Sequence, residues 1–242
     1  MITKTHTVKD VLNHNHYLEM VLERYDVLYN DRENKLEVIA ESKGVEIDFF
    51  VEILNLFDSE KPFSKDNLMR YDIPVVLDYL KRTHQYYLGK RLFEIENSLQ
   101  AVCDDETASD AFLTSLLNNF FSEFKIDLWE HIELEENFLF PHIAFLQVAQ
   151  KGYCSIEAKR KLKNFSVQKF ISDHNDDSEK QLTELLEILD YLYPDTHFLS
   201  PVSILKKQLF AFEKDLHIHA LVEDEVLMPK VIRLENSTIS GF

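Results

Sequence analysis

Residues 127–141 read DLWEHIELEENFLFP, and residues 215–229 read DLHIHALVEDEVLMP. The two segments carry Asp, Leu, His, Glu, Leu and Pro at the same positions. Within each segment, His precedes Glu by four residues, which places both side chains on one face of a helix, one turn apart. A match at one position often arises by chance, whereas a match at six positions rarely does. The repeat therefore predicts that the chain contains two copies of one helical unit.

The segments around this repeat carry apolar residues at the three- and four-residue spacing of a buried helix face. A histidine lies on the stripe that precedes each copy, His84 before the first and His174 before the second. The four stripes are Leu77, Leu80, His84 and Leu88; Leu116, Phe120, Phe124, Leu128, His131, Glu135 and Phe138; Phe170, His174, Leu182, Leu185 and Leu189; Leu205, Leu209, Phe212, Leu216, His219, Glu223 and Leu227. Four long helices with three connections predict an all-α protein with an antiparallel four-helix bundle over residues 73–242.

Shorter apolar patterns precede the bundle. Residues 1–57 read as a small N-terminal domain of two or three short helices, one of which Gly44 is expected to end. Residues 58–72 are polar and are interpreted as a linker. Pro74 suits the first turn of the helix that follows, where a missing N–H is tolerated. Pro141, by contrast, is expected to end the helix that carries the first copy of the repeat.

The composition supports a helical protein and excludes several function classes. The chain has 242 residues, 45% of them hydrophobic, with only 4 Gly and 6 Pro, too few for a turn-rich β protein. Its net charge of −17 opposes a general affinity for nucleic acid or anionic membranes. No G-x-S-x-G, P-loop, HExxH or Cys–His pattern of a classical hydrolase is present in the sequence.

The cysteines and the apolar runs indicate the compartment. Cys103 and Cys154 are not in a CxxC arrangement and do not form a disulfide framework. The first residues lack the apolar run of a signal peptide. No stretch approaches the ~20 apolar residues of a membrane span. A cytoplasmic location is therefore expected.

The repeated His and Glu residues predict a metal centre. A carboxylate on a buried stripe is costly unless it is paired, hydrogen-bonded or bound to metal, and two converging carboxylates repel each other. No Lys or Arg lies within residues 127–143 to neutralise Glu135. A dinuclear cation would remove both costs. The expected terminal ligands are His84, His131, His174 and His219, and the expected bridging ligands are Glu135 and Glu223.

The number and type of ligands narrow the choice of metal. A mononuclear zinc site needs only four ligands, so six candidates indicate two ions. Imidazole and carboxylate donors in a bundle suit iron or manganese, and the share of imidazole favours iron. The other six histidines are interpreted as ordinary surface or core residues. They are His6, His14, His16, His142, His197 and His217.

These motifs resemble a known family. The chain is similar to the repair-of-iron-centres di-iron proteins, which have a hemerythrin-like (HHE cation-binding) bundle. The resemblance rests on His131 to Pro141, on Asp173-His174 and on His219 to Pro229. A weaker match over residues 22–45 resembles the small helical domain that precedes the bundle in that family.

The sequence departs from the family pattern at two places. Family members carry a Cys-Cys pair in the N-terminal domain, where this chain has Tyr29-Asn30-Asp31 and no cysteine. The family also has a further His between the first ligand and the His-x3-Glu motif. At about that place this chain has Cys103, Asp104 and Asp105, so either another donor completes one metal or that metal has an open position.

The resemblance implies a non-haem di-iron protein that holds two iron ions, oxo- and carboxylate-bridged, with manganese as the less favoured metal. The implied role is repair of iron–sulfur or other iron centres under oxidative or nitrosative stress, with damaged iron–sulfur or di-iron proteins as partners. Two alternatives stay open. One is a hemerythrin-like protein that binds or senses oxygen or nitric oxide. The other is a metal-free scaffold or regulatory derivative.

Overall fold

Helices form all the regular structure in the part of the chain that the computed structural model describes, which is residues 1–59, 63–104, 111–152, 165–173, 178–194 and 200–240. One isolated bridge, between Thr7 and Lys35, is the only strand-like pairing in these ranges. The predicted all-α class is confirmed. None of the helices in these ranges has the length and apolar character that crossing a membrane requires.

The helices are numbered in chain order. They are α1 (Val8–His14), α2 (Glu19–Arg24), α3 (Leu36–Lys43), α4 (Ile47–Asp58), α5 (Ile73–Tyr86), α6 (Leu92–Cys103), α7 (Ala111–Leu134), α8 (Phe140–Gln150), α9 (Val167–Asp173), α10 (Ser178–Leu192), α11 (Pro201–Val222) and α12 (Met228–Ser240). Short 3-10 turns lie at His16–Leu18, Tyr29–Asp31 and Lys65–Asn67. Three π-helical turns lie at Tyr87–Arg91, Glu135–Leu139 and Glu223–Leu227.

The chain divides into two compact units. The first unit comprises Met1–Tyr86 and Ile218–Lys230. In it, α3 packs on α4, and α5 packs on both α2 and the π turn at Glu223–Leu227. Aromatic rings fill its core, among them Tyr25 and Phe50 with ring centroids 4.6 Å apart. This packing places helix α5 beside the second copy of the repeat.

Local signals in the sequence explain where the helices of the first unit begin and end. Thr7 and Asp10 form a capping box, in which each side chain accepts a backbone N–H at the start of α1. Gly44 has φ +64°, a left-handed conformation that suits glycine, and it ends α3 as predicted. Pro74 occupies the first turn of α5, also as predicted.

The second unit comprises Tyr87–His217 and Val231–Phe242. In it, α7 packs against α6 and α10. Its core includes Phe121, Phe124 and Phe212, which are all buried. Phe124 and Phe212 meet edge to face with their ring centroids 6.1 Å apart. The division predicted from the sequence, into residues 1–57, 58–72 and 73–242, stays a prediction.

Most residues of the predicted apolar stripes that the structure describes are buried, and Phe120, His131 and Phe170 are partly buried. The fourth stripe, from Leu205 to Leu227, is buried throughout. Leu88, Leu116 and Phe138 are instead exposed, which corrects the sequence prediction at these positions. The π turn that begins at Tyr87 adds a residue to the helix and rotates Leu88 away from the stripe that contains His84.

In the second stripe Phe124, Leu128 and Glu135 are buried as predicted, but at three positions the buried residue is the next one along the chain. Leu117, Phe121 and Leu139 are buried where Leu116, Phe120 and Phe138 were expected to be. An amphipathic pattern does not specify which of two adjacent apolar residues faces the core. Helices α9 and α10 carry the described residues of the third stripe, and Leu182, Leu185 and Leu189 in α10 are buried.

The prediction that Pro141 ends its helix is wrong. Helix α8 continues from Phe140 to Gln150, and α12 likewise continues past Pro229. A proline inside an α-helix lacks an N–H and clashes with the carbonyl four residues before it. Here the residue before each proline donates to a carbonyl five residues back, Phe140 to Glu135 and Met228 to Glu223. We attribute the continuation to this wider turn, which gives the proline ring room.

Candidate metal centre

The first unit brings together three of the predicted ligands. His84 lies near the end of α5, and His219 lies near the end of α11, one turn before Glu223. The Nε2 atoms of His84 and His219 are 3.3 Å apart. The Nε2 atom of His219 is 3.7 Å from Oε2 of Glu223. All three side chains are buried, with at most 5% of their surface exposed.

The second unit holds the equivalent pair from the first copy of the repeat. His131 lies near the end of α7, and Glu135 begins the π turn that follows. The Nε2 atom of His131 is 2.9 Å from Oε1 of Glu135. Glu135 is fully buried, and the His131 side chain is 10% exposed. Both copies of the repeat therefore place an imidazole and a carboxylate inside the protein.

The separations within each unit suit ligands that share one ion. Two donors that each lie about 2.1 Å from an ion are about 3.0 Å apart at right angles and about 3.4 Å apart in a tetrahedron. The 2.9 Å between His131 and Glu135 and the 3.3 Å between His84 and His219 agree with these values. The 3.7 Å between His219 and Glu223 is slightly longer. Buried His and Glu groups of this kind could hold a metal ion.

Each glutamate opens a π turn, and the third π turn begins three residues after His84. A π turn inserts one residue into a helix, changes the direction of the side chains that follow, and is frequent at functional sites. In this chain the three π turns described all lie on helices that carry predicted ligands. The equal distance from Glu135 to Pro141 and from Glu223 to Pro229 shows that the repeat encodes this local backbone twice.

The remaining sequence candidates have different outcomes. His174 and Asp105 lie outside the described residues. Cys103 is half-buried, and its Sγ accepts a hydrogen bond from Asn118 Nδ2 at 3.6 Å. Asp104 accepts one from Gln100 Nε2 at 2.8 Å.

Arg24 is a buried cation of the first unit that the sequence analysis did not single out. Its Nη1 lies 3.3 Å from the Tyr79 hydroxyl and 3.5 Å from that of Thr83, the residue before His84. Its guanidinium also lies over the ring of Phe57 at 5.1 Å and over that of Tyr86 at 5.4 Å. Aromatic faces attract a guanidinium, and they hold Arg24 against the helix that presents His84.

Asp215 is a second residue whose burial the sequence did not reveal. It is fully buried, and its Oδ1 accepts a hydrogen bond of 2.8 Å from the hydroxyl of buried Tyr87. Asp215 belongs to the repeat, but its counterpart Asp127 is exposed and accepts from Gln181. The sequence repeat therefore marked this position, but only the packing of the helices makes Asp215 buried and Asp127 exposed.

His142 is also buried, although the sequence analysis gave it no role. Its Nε2 lies 3.2 Å from Oε1 of Glu235, and its ring stacks near Phe165 at 4.3 Å. Glu235 also accepts the backbone N–H of Val167 at the start of α9. Burial lowers the pKa of His142 below its usual value, although the Glu235 carboxylate opposes this effect.

Comparison with known proteins gives no family assignment. No protein-family model matches the chain, and no curated protein is significantly similar to it.

Proposed function

We propose that the chain is a non-haem di-iron protein with a small N-terminal helical domain and a hemerythrin-like antiparallel four-helix bundle. The proposed terminal ligands are His84, His131, His174 and His219, and the proposed bridging ligands are Glu135 and Glu223. The observation that carries the proposal is the buried cluster of the first unit, where two imidazole Nε2 atoms are 3.3 Å apart beside the Glu223 carboxylate.

Burial and charge argue for a cation at these residues. Glu135 is fully buried and Glu223 is 5% exposed. An ionised carboxylate at such a position needs a compensating charge. Each neutral imidazole has a lone pair on one ring nitrogen. When two Nε2 atoms face each other, they cannot both donate a hydrogen bond to each other. A metal ion accepts electron density from both rings and neutralises the carboxylate. The chain's residues thus supply the donors that a buried cation needs.

The donor set supports iron over other metals. Imidazole and carboxylate together suit iron, and buried carboxylates in helical bundles are the usual bridges of di-iron centres. Such a centre supplies one-electron redox chemistry and a position for a small ligand. The role of the six side chains is to hold the ions away from bulk water. Manganese fits the same donors but is less favoured by the share of histidine.

The proposed role follows from the resemblance described above. We infer that the chain acts in the repair or protection of iron–sulfur and other iron centres during oxidative or nitrosative stress, with the damaged proteins as its partners. The alternative of oxygen or nitric oxide binding uses the same ligands. The 2.9 Å pairing of His131 with Glu135 is the observation that favours the metal-free alternative, because these two groups can pair with each other without an ion.

The first experiment measures the metal content and visible spectrum of freshly purified protein, before and after anaerobic reconstitution with ferrous iron. About two irons per chain, with absorption that bleaches on reduction, is the expected result. His219→Ala and Glu223→Gln should lose most of this iron. Matched controls are His217→Ala on α11 and Glu225→Gln in the π turn that follows, which change exposed residues and should keep the iron.

Two results would overturn the proposal. One is the absence of iron after reconstitution, and the other is full iron content in the His219→Ala and Glu223→Gln variants. Transfer of iron to a metal-free iron–sulfur protein separates the repair role from gas binding. Repair requires transfer, whereas a carrier or sensor would bind nitric oxide reversibly and keep its iron.

A further inference from the structure

Large apolar side chains are exposed on one face of the second unit. Phe93 is 64% exposed, Ile126 is 56% exposed and Trp129 is 49% exposed. Leu88 and Leu92 lie next to them and complete the apolar lining of one open groove. Single exposed apolar residues are common, but a contiguous group of this kind indicates a binding surface.

The groove runs along α6 and α7, which pack against each other. On α7 the lining residues Ser122, Lys125, Ile126 and Trp129 recur every three or four positions, so they form one continuous stripe. The groove has a volume of about 630 Å³, more than a single side chain fills.

The two helices are strongly acidic. Residues 92–104 and 111–137 contain one Lys or Arg, Lys125, which pairs with Glu96, while Lys90 and Arg91 just before α6 pair with Glu94. Glu96 lines the groove, and Glu123, Glu130 and Glu133 of α7 also reach solvent. An apolar groove on two acidic helices is complementary to a helix with one apolar face and basic flanks.

We propose that this groove binds a basic amphipathic helix of another protein. The apolar face of that helix covers Phe93, Ile126 and Trp129, and its Lys and Arg residues pair with the acidic residues beside the groove. A second copy of this chain is a poor occupant, because its net charge of −17 would repel an equally acidic surface. This inference is independent of whether the chain binds iron.

Trp129 provides a direct test, since it is the only tryptophan in the chain. The probe is a synthetic helix of about 18 residues, or five turns, with Leu on one face and Lys on the other. Binding should shift the emission of Trp129 to shorter wavelength, because the ring leaves water. A peptide of the same composition in scrambled order, which has no apolar face, should bind much more weakly.

Variants of the groove locate the binding. The Phe93→Ser/Ile126→Ser double variant should weaken binding of the amphipathic peptide at least about tenfold. Phe210→Ser is the matched control, because Phe210 is 60% exposed on α11 and does not line the groove. Circular dichroism of both variants checks that the helices are retained.

Three outcomes would overturn the proposal. The first is that the scrambled peptide binds as tightly as the amphipathic peptide, which would show that charge alone attracts the peptide. The second is binding without a change in Trp129 emission or without an effect of the double variant. The third is a dimer in sedimentation equilibrium that the double variant dissociates, which would show that a second copy covers the groove.

Discussion

At the residue scale, the two segments that carry the repeat contain several buried ionisable groups. Glu135, Glu223 and Asp215 are carboxylates with at most 5% of their surface exposed. Each has an imidazole or a phenol within reach, so burial and pairing occur together. A folded protein tolerates such groups at a cost in stability, and sites that bind ligands or metals are where that cost is usual.

The first prediction concerns this cost. In the metal-free chain, Glu135→Gln should raise the free energy of unfolding by about 1 kcal/mol, since it removes a buried charge but keeps an oxygen near His131. Urea denaturation of protein treated with a chelator measures the effect. Glu130→Gln, at an exposed position on the preceding helix, should change stability by less than about 0.5 kcal/mol. A clear loss of stability in Glu135→Gln would show that the ionised pair stabilises the fold.

The second prediction concerns His142. Its pKa is lowered by burial, so below its ordinary pKa of 6.5 the unfolded chain binds a proton that the folded chain does not. The free energy of unfolding therefore falls as the pH falls below that value. His142→Gln removes this proton uptake and keeps a donor for Glu235, so it should lose less stability on acidification.

Urea denaturation at neutral pH and at about pH 5 tests this expectation. His217→Gln is the control, because His217 is half exposed and pairs with Glu179 at the surface. An unchanged pH dependence in His142→Gln would mean that the burial of this ring does not set the acid sensitivity of the protein.

At the element scale, the π turns decide where the helices point their side chains. The turn at Tyr87–Arg91 brings Tyr87 into the core and leaves Leu88 exposed. The turns at Glu135 and Glu223 each precede a proline that would otherwise interrupt the helix. The π turn therefore lets the helix continue past the proline, and it also sets the direction of the candidate ligand side chains.

The third prediction compares two glycines. Gly89 lies in the π turn without a positive φ, and apart from the adjacent backbone of its own helix no atom lies within 4 Å of the place that an alanine methyl group would take. Gly89→Ala should therefore raise the free energy of unfolding by about 0.5–1 kcal/mol. Gly44 has φ +64° at the end of α3, so Gly44→Ala should lower it by about 1 kcal/mol despite the open space there. Equal effects of the two substitutions on the urea midpoint would contradict this account.

At the scale of the whole molecule, the charge balance opposes the compact state. The net charge of −17 on 242 residues makes the folded chain repel itself. The repulsion acts over about 10 Å at an ionic strength of about 0.1 M and is screened further at higher salt. Stability should therefore depend on ionic strength more than in a balanced protein.

The fourth prediction follows from this repulsion. Raising NaCl from about 20 mM to about 200 mM shortens the screening length severalfold and should raise the melting temperature by a few degrees. Thermal unfolding followed by circular dichroism measures it. Potassium chloride should have the same effect, since screening does not depend on the identity of a monovalent ion. A melting temperature that is flat or falls with salt would show that specific ion pairs outweigh the net charge.

Much of the helical pattern could be predicted from the sequence, and particular residues show where prediction stopped. The spacing of Leu205, Leu209 and Phe212 was sufficient to predict a buried helix face. Leu88 was misassigned because a π turn adds a residue, and periodicity assumes a constant turn. Pro141 was misassigned because the rule that proline ends a helix does not consider a wider turn before it.

The sequence by itself determined the helical class, most of the apolar stripes and the pairing of His131 with Glu135 and of His219 with Glu223, because these depend on spacing along one helix. Only the tertiary structure decided that His84 meets His219, that Asp215 is buried while Asp127 is not, and that His142 pairs with Glu235. Each of these depends on helices far apart in the chain packing together. Local periodicity carries no information about which distant face a side chain meets.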